Sequence, residues 1–128
     1  MQSTGKTVLL IDDDASHLKL YSLIVATAGF RALTALVTRN DVEIPDHEQI
    51  DVTLLDYRLG GTLSSADVAS RIQSAYPACP IVVLSDMMWM PDDMKPYGAA
   101  FVRKGEPQQL LTTLAAIIDA QPTPPFSA

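Results

Sequence analysis

Short apolar runs rich in β-branched residues recur along the chain, and the segments between them place apolar residues at helical spacing. The runs are KTVLLI (6–11), FRALTAL (30–36), DVTLL (51–55), CPIVVL (79–84) and AAFV (99–102), and they predict five β-strands. Runs one, three and four lack strict polar alternation. That is the pattern of strands covered on both faces, so an α/β fold with a parallel sheet between helices is expected. Residues 16–28 set Leu18, Tyr21, Ile24, Val25 and Ala28 on a helical stripe and meet Gly29, a helix stop. Residues 66–76 gather Val68, Ala69, Ile72 and Ala75 and end before Pro77; after Pro107, Leu110, Leu111, Leu114, Ile117 and Ile118 mark a last helix. The connections 38–49 and 86–98 contain Pro45, and Pro91 with Pro96. Proline is excluded from regular helix interiors, so short or distorted helices are expected there.

A chain of 128 residues with 48% apolar and 19% charged residues suits one soluble domain with its own core. We assign that domain to residues 1–120, and read the proline-rich QPTPPFSA (121–128) as a tail or the start of a linker. The net charge of −6 has the wrong sign for neutralising nucleic-acid phosphates or anionic lipid, so neither is expected as a direct partner. The single cysteine, Cys79, cannot form an internal disulfide and reads as a small buried filler. With no signal-like N-terminus and no run of membrane-spanning length, a cytoplasmic location is expected.

Parallel sheets of this kind bind ligands beyond the carboxyl ends of their strands. Just past those ends lie Asp12 and Asp13, Asp56, Ser85 and Lys104. Adjacent carboxylates near an apolar core are costly unless something offsets their charge, and hard oxygen donors from two neighbouring strands suit Mg²⁺. Asp14, next to the pair, is a natural helix start. With a cation in place Asp56 becomes a plausible nucleophile toward phosphorus, Lys104 offsetting charge on one phosphoryl oxygen and the Ser85 hydroxyl donating to another. The chemistry implied is formation of an aspartyl phosphate.

These marks make the chain resemble the receiver domain of two-component response regulators over most of residues 6–120. They are LLIDDD, LLDYRLGG, VVLSD and FVRK, in that order. The resemblance implies a flavodoxin-like, five-stranded parallel sheet of order 2-1-3-4-5 flanked by five helices. It also implies phosphorylation by a histidine kinase or phosphotransfer protein with Mg²⁺ bound, and output by protein contact, alone or through a fused domain. Such a domain is a regulatory phosphoacceptor, catalysing only its own phosphotransfer and dephosphorylation. By position, Asp56 is the acceptor, Asp13 a direct metal ligand, Asp12 a ligand through water and Arg58 a ligand through its backbone carbonyl. Ser85 and Phe101 stand at the family's switch positions, acting on the face of the fourth helix, fifth strand and fifth helix.

The sequence departs from that pattern in four places. Gly105 follows Lys104 where the family has proline, Asp86 follows Ser85 where a small residue is usual, and Gly60 and Ser65 replace a proline and a glycine after the acceptor. The fourth connection, DMMWMPDDMKPYG, is short; its Met87–Met90 stretch reads as folding back over the core, with partner docking or a homodimer contact as the alternative. His17 and His47 lack Cys or His neighbours at ligand spacing and read as solvent-facing or locally hydrogen-bonded. Two rivals follow. One is a receiver-like interaction module that works without phosphate, given Asp86 and Gly105. The other is a phosphatase of the haloacid dehalogenase type, built on Asp12, Asp14, Ser85, Lys104, Asp92 and Asp93, but its acidic pair would follow the lysine and here precedes it.

Overall fold

A computed structural model of the chain describes residues 5–39, 41–46, 49–57 and 63–120. The elements run β1 (Thr7–Asp12), α1 (Ala15–Thr27), β2 (Arg31–Leu36), β3 (Val52–Asp56), α2 (Ser65–Ala75), β4 (Ile81–Ser85), a 3₁₀ turn (Asp92–Met94), β5 (Gly98–Arg103) and α3 (Pro107–Ala120). All strand pairings are parallel and the order is β2-β1-β3-β4-β5. The crossovers therefore reverse direction on either side of β1, and the gap between β1 and β3 is the switch point at which such sheets bind ligands.

The apolar runs without alternation are the inner strands. Every residue of β1, β3 and β4 is buried, because helices cover both faces. On one face Leu9, Ile11, Leu55 and Val83 pack with Val68, Ala69 and Ile72 of α2. On the other, Val8, Leu10, Leu54, Val82 and Val102 pack with Leu18 and Val25 of α1 and Leu110 and Leu114 of α3. Each fully buried aliphatic side chain contributes about 1.5–3 kcal/mol of transfer free energy, so the sheet is a rigid platform for whatever its edge carries.

Local signals set the helix ends. Asp14 is the N-cap of α1, its Oδ1 accepting from the backbone N–H of Ser16 at 2.8 Å and of His17 at 3.3 Å. Ser64 and Asp67 form a reciprocal capping box at the start of α2. Gly29 follows α1 with φ +89°, the left-handed conformation that releases the chain toward β2.

The proline-containing connections depart furthest from regular helix. Among the described residues between β2 and β3 there is no helical turn; Val37 and Val42 form an isolated antiparallel bridge and are buried with Ile50. Tyr76 from the end of α2 donates to the carbonyl of Pro45 at 2.5 Å, holding this segment to the body. Between β4 and β5 the 3₁₀ turn is bracketed by Pro91 and Pro96, and its last residue, Met94, is fully buried. Cys79 is a buried free thiol against Thr53, with Sγ 3.3 Å from Oγ1. Residues 121–128 and His47 lie outside the described residues.

At the edge opposite the strand ends, Asp51 is buried and its Oδ2 accepts from the Thr7 backbone N–H at 2.7 Å, while Gln49 Nε2 donates to Oδ1 at 2.8 Å. This carboxylate ties β1 to the start of β3. Asp51→Ala strands a buried N–H, and urea unfolding is expected to show a loss of about 1–3 kcal/mol.

Candidate functional site

β1 and β3 are adjacent, and both end in aspartate, so Asp12 and Asp56 emerge side by side at the switch point, each 3% exposed. Asp13 follows on the exposed side. One carboxylate oxygen from each of Asp12, Asp13 and Asp56 lies within 4.8 Å of the others. β4 delivers Ser85, fully buried, and the end of β5 delivers Lys104, whose backbone N–H donates to the Ser85 carbonyl at 2.8 Å. The Lys104 Nζ lies 2.6 Å from Asp56 Oδ1. The contact is a close ion pair, so the Lys104 ammonium offsets the charge of this buried oxygen.

The electrostatics follow from this crowding. Burial, reinforced by the charge of Asp56, pushes the Asp12 carboxyl from 3.8 up to about 7. Burial alone would lower the Lys104 ammonium, but the Asp56 carboxylate, then Asp86 and Asp12, outweigh it and the pKa is raised. Tyr21 of α1 is also raised, first by burial; Asp12, Asp56 and Asp86 add to the shift and Lys104 opposes it, which places its phenol in the same field. A perturbed acid in a cleft among other titratable groups marks a functional-site candidate.

The donor set fits a small hard cation. Its oxygens are carboxylates at close range, and burial, with the neighbouring charge of Asp56, holds Asp12 partly protonated at neutral pH. Arg58, the expected backbone-carbonyl ligand, lies outside the described residues, as does Gly60.

The remaining residues are placed as follows. Gly105 adopts φ +84° in a chain with no cis peptide among the described residues, and through this turn Lys104 still reaches Asp56. Asp86 is exposed beside the site. Ser65 is buried, its hydroxyl donating to the backbone carbonyls of Asp56, at 3.0 Å, and Tyr57, so it ties down the backbone on which the acceptor sits. The Ser85 hydroxyl accepts from the Met87 N–H at 3.1 Å. Phe101 is half-buried against the α2-side core. Met90 also packs there, with Cε over Gly98, whereas Met88 and Trp89 are 65% and 67% exposed. The stretch Met87–Met90 thus both folds back and projects.

Asp92 and Asp93 are not among the clustered acids: Asp92 pairs with Lys95 at 2.9 Å, and Asp93 accepts from Tyr57 Oη at 2.8 Å. They have no place in a dehalogenase-type site here. Reading the sequence missed that Tyr57–Asp93 link, which joins the residue after Asp56 to the 3₁₀ turn. It missed the approach of His17 to Asp12 as well.

Comparison with known proteins agrees with this fold. No protein-family model matches the chain. The transcriptional regulatory protein GlrR of Escherichia coli is 27% identical over 85 residues, which is 66% of this chain and 19% of GlrR, so the matched stretch is a small part of a longer protein. A CheY-like receiver domain from Methanospirillum hungatei superposes with TM-score 0.71 at 16% identity, covering 91% of this chain and 95% of its own. The response regulator TrrA of Thermotoga maritima, solved in complex with Mg²⁺ and BeF, gives TM-score 0.70 at 18% identity over 88% and 98%. The chain therefore has the fold of CheY-like receiver domains. The curated relatives it matches are transcriptional regulatory proteins, and its structural neighbours include response regulator receiver domains.

Proposed function

We propose that the chain is a phospho-accepting receiver domain comprising residues 1–120, modified on Asp56 in a Mg²⁺-dependent reaction by a histidine kinase or phosphotransfer protein. The observation that carries this reading is the convergence of Asp12, Asp13 and Asp56 with the Lys104 amine at one strand edge. Asp56 supplies the nucleophilic oxygen, and the buried face of the sheet keeps water from its far side. Lys104 offsets charge on the incoming phosphoryl group, and the Ser85 hydroxyl, which can rotate away from the Met87 N–H, donates to it. Asp12, Asp13 and Asp56, with the backbone carbonyl that the resemblance assigns to Arg58, would hold the cation, and Mg²⁺ there would supply charge neutralisation of the phosphoryl oxygens.

Output follows from the same atoms. A group carrying about −1.5 to −2 charge draws Ser85 and Lys104 inward, which frees the Met87 N–H. The Met87–Met90 loop and β5 then respond, and the signal passes by protein contact or to a fused output domain. Leu20 and Leu23 on α1 are 52% and 60% exposed, beside an apolar groove of about 220 Å³ reaching the start of α3. It shares Tyr21 and Leu84 with the small cleft that Asp56 lines, which makes it a surface a donor protein would cover. A cytoplasmic location suits this role, and among the described residues no helix is long and apolar enough to cross a membrane.

Incubation with Mg²⁺ and acetyl phosphate, followed by intact mass measurement, is expected to show one added phosphoryl group, absent in Asp56→Asn. No adduct where a control receiver labels would favour the rival module that works without phosphate, for which exposed Asp86 is the supporting observation. A negative charge at the entrance opposes an anionic donor, so Asp86→Ala is expected to label severalfold faster than the wild type in a time course.

A further inference from the structure

We propose that Ser65 is a positioning residue for phosphoryl transfer: its hydroxyl fixes the peptide that follows the acceptor, and with it the direction of the Asp56 carboxylate. This rests on the reading of Asp56 as the acceptor. The carbonyl of Asp56 and the N–H of Tyr57 belong to one planar peptide group, and its two ends are held by different elements. The Tyr57 N–H donates to the Leu84 carbonyl of β4 at 2.9 Å, and the Asp56 carbonyl accepts from the Ser65 hydroxyl of α2 at 3.0 Å. The same hydroxyl donates to the Tyr57 carbonyl, one proton shared between two acceptors. Two successive peptide planes are therefore tied to a single oxygen, on a residue only 3% exposed. Ser65 is fixed in turn as the first residue of α2, behind the reciprocal Ser64–Asp67 cap.

Side-chain rotamers depend on the backbone torsions beneath them, and the Asp56 carboxylate works at close quarters. Lys104 Nζ stands 2.6 Å away, and oxygens of Asp12 and Asp13 lie within 4.8 Å. In the transfer, a carboxylate oxygen of Asp56 forms a bond to phosphorus as the bond from phosphorus to the leaving oxygen breaks. With acetyl phosphate as donor, acetate leaves with the electron pair and no proton is exchanged. The attacking oxygen has to stand in line with the leaving one, and a misplacement of about 1 Å costs up to about 100-fold in rate. Glycine, usual here in the receiver pattern, has no side chain to hold either carbonyl. Without the hydroxyl, the peptide after Asp56 keeps its bond to Leu84 and pivots about it. Asp12, Asp13 and Lys104 stand on other strands, so the loss falls on the rate of the bound complex and not on the affinity for cation or donor.

The test uses the full chain with Ser65→Ala and Ser65→Gly, and Asp51→Ala as a control that loses stability at the opposite edge of the sheet. Labelling rates are read by intact mass over a range of acetyl phosphate concentrations at saturating Mg²⁺, and Mg²⁺ affinity by calorimetry. Both Ser65 variants are expected to lose about tenfold in maximal rate, with the half-saturating donor concentration and the Mg²⁺ affinity within about twofold of wild type. Asp51→Ala is expected to keep the wild-type rate. In the metal-free protein, the Tyr57 amide of both Ser65 variants is expected to exchange hydrogen severalfold faster relative to the amides of β1, a readout independent of labelling. Melting curves check that each variant is folded at the assay temperature. A wild-type maximal rate in either Ser65 variant, an equal loss in Asp51→Ala, a loss confined to donor or Mg²⁺ affinity, or unchanged Tyr57 exchange overturns the assignment while leaving Asp56 as the acceptor. If the wild type takes up no phosphoryl group where a control receiver does, the acceptor reading itself fails, and the inference with it.

Discussion

Replacing Lys104 by Met is expected to destabilise the metal-free protein by about 3 kcal/mol at neutral pH, the lower end of the range for removing one partner of a buried ion pair. Lys104 is the cation 2.6 Å from a carboxylate that is almost wholly buried, while its own side chain remains 21% exposed. Without it, Asp56 stays beside Asp12 and Asp13 and loses the cation that faces it. The methionine preserves the volume of the stem, so the loss reports charge and not packing. Urea unfolding measures the change, and repeating it with millimolar Mg²⁺ separates its causes. A cation among the acids replaces much of the lost charge, so the deficit of the variant is expected to shrink when Mg²⁺ is present. A deficit unchanged by Mg²⁺ would mean that Lys104 supports the loop and not the acidic cluster.

Asp12→Asn is expected to act in the opposite direction, raising the melting temperature of the metal-free protein at pH 7.5 while abolishing the Mg²⁺ dependence of stability. The Asp12 carboxyl titrates near 7 in the folded protein against 3.8 as its ordinary value, first because it is buried and next because Asp56 faces it. Between about pH 4 and pH 7 the folded state therefore holds a proton that the unfolded chain has released, and stability falls as pH rises through that window. Above about pH 7 both states are ionised and the penalty is constant, on the order of 2–4 kcal/mol from the size of the shift. The asparagine carries no charge to penalise, so melting curves collected across pH 4–8 should lose this slope. In the wild type, Mg²⁺ should flatten it as well, because the cation favours the ionised carboxylate. A wild-type melting temperature that rises steadily from pH 4 to pH 7 without metal would overturn this account of Asp12.

How much of this was readable beforehand depends on the range of each cause. Strand and helix positions were legible to within a residue or two, because burial on both faces leaves uninterrupted apolar runs at β1, β3 and β4 and capping residues such as Asp14 act within one turn. The acids at 12, 13 and 56, the hydroxyl at 85 and the amine at 104 were legible as well, since parallel connections bring the ends of successive strands to one edge. The proline-containing connections were less so. Proline says where a regular helix stops, but not that residues 37 and 42 bridge or that Met94 plugs the core.

The order of amino acids already places particular residue types at the ends of particular strands, and with them the class of fold and the chemistry it can carry. Distances come from the packed fold: that Lys104 reaches Asp56 through a glycine turn, that Tyr57 is linked to Asp93, and that Asp12 is buried deeply enough to hold its proton near neutrality. His17 shows the boundary between the two. Its place in the first turn of α1 was legible, but its approach to Asp12 depends on how α1 leaves β1. Periodicity records which face of an element is apolar, whereas the field at a buried carboxylate is the sum of charges brought together from distant parts of the chain.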